Sequence, residues 1–254
     1  MTLFSVVIPT LQRSPTLPEL LRRLSQSSSV AEIMVINNSS SPLSARPPRT
    51  DVIEPGRNIF VNPAWNLGVA STNAPLVCLC NDDALFDPRI LDAIARRLRR
   101  GAGIVGPHSS CFRPISVDPR ASRSLLPTVF LPAYVRPFGF GTLMSFRRES
   151  FVPIPDDLKI WCGDDYLFQR QQQRNYCFFG PKILTTMSLT SSSHEFDRER
   201  ETDIMAMATN YPENHYRRRY WKEYRWLLRY KEVRQRLFSS RAERRNSPQG
   251  RAGD

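Results

Sequence analysis

Three groups of side chains have the types and spacing that chemistry requires. Asn81, Asp82 and Asp83 follow directly on an apolar run, Leu76 to Cys80. Two adjacent acids at the end of a buried strand are costly unless they are solvated or bound to a cation. A hard cation such as Mg²⁺ takes a few carboxylate oxygens together with phosphate oxygens of its substrate; the competing role for such a pair is to cap the next helix. A second pair, Asp164 and Asp165, stands behind Trp161-Cys162-Gly163 and before a polar helical stretch. There an acid either complements the helix dipole or takes a proton from an acceptor hydroxyl as general base. His194 lies in SSSHEFD, residues 191–197, without helical or strand periodicity. It is either a neutral imidazole ligand for a metal or a surface loop histidine.

The elements that must position these groups alternate along the first half of the chain. Phe4 to Pro9 and Glu32 to Ile36 are short apolar strands, with Leu17, Leu20, Leu21 and Leu24 at helical spacing between them. This strand, helix, strand order is the unit of a parallel sheet. A weak strand at Asp51 to Glu54, a helix over Asn62 to Thr72, a buried strand over Pro75 to Cys80 and a helix over Asp87 to Arg99 continue it. Pro88 suits the first turn of the last helix, behind an Asp87 cap. A strand is expected at Gly103 to Val105. Residues 107–135, rich in Ser, Pro and Arg, form either an ordered insertion or a lid. Further strands are expected at Phe138 to Phe146 and Tyr176 to Phe179, with a polar helix over Asp164 to Arg174 between them. From Tyr216, apolar and aromatic residues recur at three and four, the spacing of an amphipathic helix. The expected domains are 1–200, a helical extension 201–240, and a disordered basic tail 241–254.

Composition narrows the classes. The 254 residues are 41% hydrophobic, enough for a full α/β core. No apolar stretch is long enough for a membrane span and no leader pattern opens the chain, so a cytoplasmic protein is expected. Cys78, Cys80, Cys111, Cys162 and Cys177 show no zinc spacing and read as reduced thiols. The net charge of +12 is concentrated at the C-terminal end, where Tyr216 to Arg245 holds twelve Lys or Arg against Glu223, Glu232 and Glu243. That concentration fits a polyanionic partner, nucleic acid or an anionic membrane face, or else a solvated helix lying over the sheet.

Taken in order, these segments resemble the inverting glycosyltransferases of family 2, with the GT-A fold: a Rossmann-like, mostly parallel sheet flanked by helices, here with a basic helical extension at the C-terminus. FSVVIPTLQR at 4–13 looks like the family's opening strand and turn, which implies donor contacts from Pro9, Thr10 and Arg13. The second strand ends in Asn37-Asn38 where the family has acids for base and ribose, implying donor contacts without a carboxylate there. UDP is the first expectation, with dTDP or GDP open. Asn66-Leu67-Gly68-Val69-Ala70 is similar to the family's N-x-G-x-A helix and places Asn66 near the nucleotide. Asn81-Asp82-Asp83 falls at the D-x-D motif, which makes Asp83 a metal ligand and assigns Asn81 and Asp82 to the donor. Phe138 to Arg148 resembles the strand and turn framing the acceptor. By the same resemblance Asp165 is the base, Asp164 orients the acceptor, and His194 completes a Mn²⁺ or Mg²⁺ site.

The resemblance thus implies transfer from a nucleotide-sugar donor to an acceptor hydroxyl, the acceptor being a saccharide or glycan. Two rivals stand beside it: transfer to modified bases of nucleic acid, and a non-catalytic binding protein on the same fold, suggested by Asn37 and Asn81 standing where acids are commoner.

Overall fold

The computed structural model describes residues 3–43, 46–115, 127–186, 194–230 and 232. Its elements run β1 (Phe4–Thr10), α1 (Leu17–Ser25), β2 (Val30–Asn37), β3 (Thr50–Ile53), α2 (Val61–Ala70), β4 (Leu76–Cys80), α3 (Ile90–Arg99) and β5 (Val105–Pro107) through the first half. The second half adds β6 (Phe112–Pro114), β7 (Val129–Ala133), β8 (Leu143–Arg147), α4 (Gly163–Arg170), β9 (Asn175–Phe179), β10 (Ile183–Thr185), α5 (Asp197–Asn210) and α6 (His215–Arg219).

Every residue of β1 and β4 is buried, so neither strand has a solvated face and both must lie inside a covered sheet. They do, in an eight-stranded sheet of order β3-β2-β1-β4-β8-β5-β9-β7. The first four of these strands are mutually parallel, as is the pair β5 and β9. Leu20, Leu21 and Leu24 of α1 and Leu91, Ile94 and Leu98 of α3 bury the apolar stripe that amphipathic spacing predicts. On α2, Gly68 lets the helix close on β1, since a Cβ there would lie 2.2 Å from Val7 Cγ1.

One reversal of direction builds the site. Strand β8 runs antiparallel to β4, with Cys80 opposite Leu143, so the carboxyl end of β4 meets the amino end of β8. Asn81 N–H donates to Thr142 O at 3.0 Å and locks that junction.

Several expectations shift. The strand expected from Phe138 begins only at Leu143, because residues 140–142 form a tight helical turn behind Gly139, whose φ is +73°. The helix expected over 164–174 stops at Arg170. Asp87 is not the cap of α3: its carboxylate takes the backbone N–H and guanidinium of Arg89, and the helix starts at Ile90. Helix α5 lies mostly where the helical extension is expected but begins earlier, at Asp197, so the domain boundary expected at residue 200 falls inside it. The chain divides instead after Tyr216. Within the second unit, residues 221–230 are helical, as their periodicity predicts. The tail 241–254 and residues 116–126 of the expected insertion or lid lie outside the described residues. All five cysteines are free thiols, and no helix among the described residues is long and apolar enough to cross a membrane.

Candidate active site

The loops at the β4–β8 junction, the loop after β1, the N-terminus of α4 and one face of α5 surround a cavity of about 510 Å³. Of the side chains singled out by sequence, Pro9, Thr10, Asn38, Asn81, Asp82, Asp83, Asp164 and Asp165 line it. Phe60 and Cys162, which also line it, are non-glycine residues with φ of +67° and +61°. Such conformations are sparsely populated and persist where the surroundings over-determine them.

The acids after β4 sit among hydroxyl groups. Thr10 Oγ1 donates to Asp82 at 2.6 Å, and Asp83 accepts from Thr185 Oγ1 at 2.7 Å and Thr186 Oγ1 at 3.0 Å. Burial pushes the Asp82 carboxyl up to about 6, opposed by the Thr10 hydrogen bond and reinforced by the neighbouring Asp83 charge. Hydroxyls satisfy lone pairs but cancel no charge, so this pair keeps its mutual repulsion. That is the condition a hard divalent cation relieves, and carboxylate oxygens are the ligands Mg²⁺ and Mn²⁺ prefer. Asp83 with Asp82 therefore fits such an ion, provided substrate phosphate and water supply the other ligands. Among the described residues no cluster of three or more His, Cys, Asp or Glu is poised around a metal position.

The acids of α4 are held differently. Arg136 NH1 lies 3.0 Å from Asp164 Oδ2, and its Nε lies 2.5 Å from Asp165 Oδ1. Burial raises the Asp164 carboxyl, with Arg136 opposing. Arg136 itself is held above its ordinary value by the two carboxylates, against the desolvation that would lower it. Asp164 packs against Gly141, where a Cβ would come within 2.9 Å of Oδ2, while Asp165 keeps a side-chain exposure of 30% toward the cavity.

What aims this pair is the strap of residues 158–162. Asn62, on α2, donates through Nδ2 to Leu158 O and Trp161 O, both at 3.1 Å. From the other side Asp203, fully buried on α5, accepts the backbone N–H groups of Lys159, Ile160 and Trp161 at 3.0, 2.7 and 2.8 Å. Gly163 then passes so close to Asn62 that a Cβ would lie 2.1 Å from its Oδ1. Helix α5 also supplies Arg200 and Ile204 to the cavity wall, with Phe196 just before it. Sequence reading missed Arg136, Asp203, Thr185 and the wall of α5. Nothing in the spacing around Asp203 marks it, since its burial and its three backbone partners arise only in the fold.

Four expected site residues stand elsewhere. Asn37 is buried, donates to Ser41 O at 2.8 Å and accepts from Gln12 Nε2 at 3.1 Å, so it builds the loop after β2. Asn66 exchanges two hydrogen bonds with the backbone of Ile154. Arg13 pairs with Glu195 at 2.8 Å, both half exposed. His194 is fully exposed and bonds Asp197 at 2.9 Å, two residues from Phe196 in the wall but not itself in the lining. The structure thus brings no imidazole to Asp83. Arg148, in the segment expected to frame the acceptor, instead ties α2 to the sheet through Val69 O, Ala74 O and Thr72 Oγ1.

A family model for glycosyl transferase family 2 matches residues 5–153, more than half of the chain. The chain belongs to that family. Among solved structures, it is similar to residues 1–349 of S. aureus TarS, at 13% identity and a TM-score of 0.54, over 73% of this chain and 61% of that one. It is also similar to a mannosyltransferase, PcManGT from Pyrobaculum calidifontis, in complex with GDP-Man and Mn²⁺ (14%, TM-score 0.51, 78% and 60%). A third is GalNAc-T7 with UDP, GalNAc and Mn²⁺ (14%, TM-score 0.51, 72% and 43%). These likenesses establish the GT-A fold, and the chain spans about three fifths or less of those proteins. A search of the curated proteins found no match.

Proposed function

We propose that this chain transfers a glycosyl group from a nucleotide-sugar donor to an acceptor hydroxyl, with inversion and with help from Mn²⁺ or Mg²⁺. The observation that carries the reading is one cavity with two unlike acidic pairs, Asp82–Asp83 and Asp164–Asp165, on separate elements. Solved relatives bound to GDP-Man and Mn²⁺ or to UDP support the donor class. Asp83, with Asp82 beside it, would hold the cation, which when bound supplies charge neutralisation for the departing diphosphate. Pro9, Thr10, Asn38 and Asn81 shape the donor side, and the Trp65 indole N–H, buried without an acceptor among the described residues, lies beside the cavity.

Asp165 is the base. It faces the cavity at the N-terminus of α4, and Arg136 must yield one contact as a hydroxyl takes its place. Asp164, more deeply set and held by the same guanidinium, keeps Arg136 anchored and orients the acceptor. Inversion follows from a single displacement with base and leaving group on opposite faces. A saccharide acceptor fits the exposed Phe138 and the Trp161 ring at the cavity rim, because apolar sugar faces pack on aromatic rings.

The test is a thermal-shift screen of UDP, GDP, dTDP and CMP sugars with and without Mn²⁺, since binding to the native state raises apparent stability by mass action. A metal-dependent response to one sugar nucleotide is expected. No response to any would move the chain to the non-catalytic class.

A further inference from the structure

We propose that the helical segment 217–230 docks the protein on an anionic lipid surface. Its sequence, RRRYWKEYRWLLRY, holds six Arg or Lys against Glu223 alone. With 3.6 residues per turn, Lys222, Arg225 and Arg229 recur at three and four and form one stripe. Trp221 and Leu228 lie along one side of that stripe and Trp226 and Tyr230 along the other.

Those flanking side chains are the large apolar groups that this segment leaves in water. Trp226 is 68% exposed, Tyr230 52%, Trp221 45% and Leu228 37%. Tyr220, Tyr224 and Leu227, on the far side of the helix, are half-buried. Trp226 and Tyr230 stack with ring centres 5.8 Å apart and planes 14° from parallel, so they offer one continuous aromatic plate. The outward face is therefore a cationic stripe between two apolar rows.

Each part matches a layer of a charged bilayer surface. Indole and phenol rings favour the zone between headgroups and acyl chains, being apolar with one polar tip. Arg and Lys extend flexible stems toward anionic headgroups, where each adds attraction that salt screens. Apolar insertion and charge together give the two signals that stable surface binding needs. The sequence beyond continues in kind, with Arg234, Arg236, Leu237, Phe238, Arg241, Arg244 and Arg245. Nucleic acid fits less well. A single convex helix gives no groove to follow a single strand, and phosphate contacts alone would leave the two apolar rows in water.

The experiment is co-sedimentation of the full chain with vesicles of phosphatidylcholine alone or mixed with phosphatidylglycerol, read also by tryptophan fluorescence. Sedimentation with the anionic vesicles only, a blue shift on binding and release by salt are expected. The double variant Arg225→Gln/Arg229→Gln should bind roughly thirtyfold more weakly. Trp221→Ala/Trp226→Ala should lose the blue shift and bind roughly tenfold more weakly. All four side chains face outward, and unchanged far-ultraviolet circular dichroism confirms that the variants fold. Equal binding to both kinds of vesicle, variants that bind as the parent does, or capture of a labelled oligonucleotide with no vesicle binding would each overturn the proposal. The outcome is independent of whether the cavity turns over a sugar nucleotide.

Discussion

The two acidic pairs of the cavity are alike in sequence and opposite in electrostatics. Asp82 and Asp83 receive hydroxyl groups from Thr10, Thr185 and Thr186, none of which carries charge. Asp164 and Asp165 share the guanidinium of Arg136. The first pair has its hydrogen bonds met and its charge left over, which suits it to an exchangeable cation. The second carries its own cation in the chain, so its carboxylates are oriented and partly neutralised before any ligand arrives. Composition alone does not separate the two pairs; the groups around each pair do.

The comparison breaks first at Asp165. Asp165→Asn should lower the transfer rate roughly a thousandfold while leaving donor affinity unchanged, measured by turnover and by calorimetry. An Asn variant that transfers at the parent rate would mean that the pair held by Arg136 is structural. Next in size is Asp203→Ala, which strands the three backbone donors of Lys159, Ile160 and Trp161. Chemical denaturation should show a loss of about 3 kcal/mol. A smaller loss is expected for Asp203→Asn, whose amide oxygen still accepts.

Arg136→Gln sharpens the contrast directly, because it makes the second pair resemble the first. It should cost about 1–2 kcal/mol, discounted for the partial exposure of all three partners. It should also raise the number of Mn²⁺ ions bound per chain in calorimetry, which the parent stoichiometry would contradict. The smallest effect is in pH. Asp82 is raised from its ordinary 3.8 to about 6, so its charged form is disfavoured in the folded chain. Its contribution therefore favours folding less as pH rises from about 4 through 6. Without metal, the stability of the parent relative to Asp82→Asn should fall across that window, and Mn²⁺ should stabilise the parent above it but not below. A relative stability that rises with pH would mean that neither burial nor the Asp83 charge disfavours the ionised carboxyl there.

The surroundings of Asp82 and Asp83 were legible because their strands are unbroken apolar runs whose ends must project into solvent. Val77 to Cys80 dictates where Asn81, Asp82 and Asp83 emerge, and the structure places all three in the cavity lining. The surroundings of Asp164 and Asp165 depend on partners far along the chain. Arg136 lies in a Pro-rich stretch 28 and 29 residues before the acids it holds, and Asp203 lies more than forty residues beyond the backbone it caps. No local spacing encodes such pairs. Asn37 and Asn66 were drawn to the donor by position in a motif, yet each meets its hydrogen-bonding needs within its own surroundings, at Ser41 and Ile154. His194 sits close in sequence to the wall at Phe196, but proximity along the chain does not aim a ring that no described residue covers.

Tyr216 sets where the chain can be cut. Its hydroxyl donates to Ala133 O at 2.7 Å and accepts from Asn175 N–H at 2.9 Å, bridging β7 and β9 at the edge of the sheet. A fragment ending at residue 153, where the family match stops, would lack α4, β9 and the Asp203 clamp; one ending at 200 would keep Asp164 and Asp165 but leave their strap unsupported. The first unit therefore keeps its strap and its bridged sheet edge only when it runs through Tyr216, and an insertion or fusion placed after that residue should leave both intact.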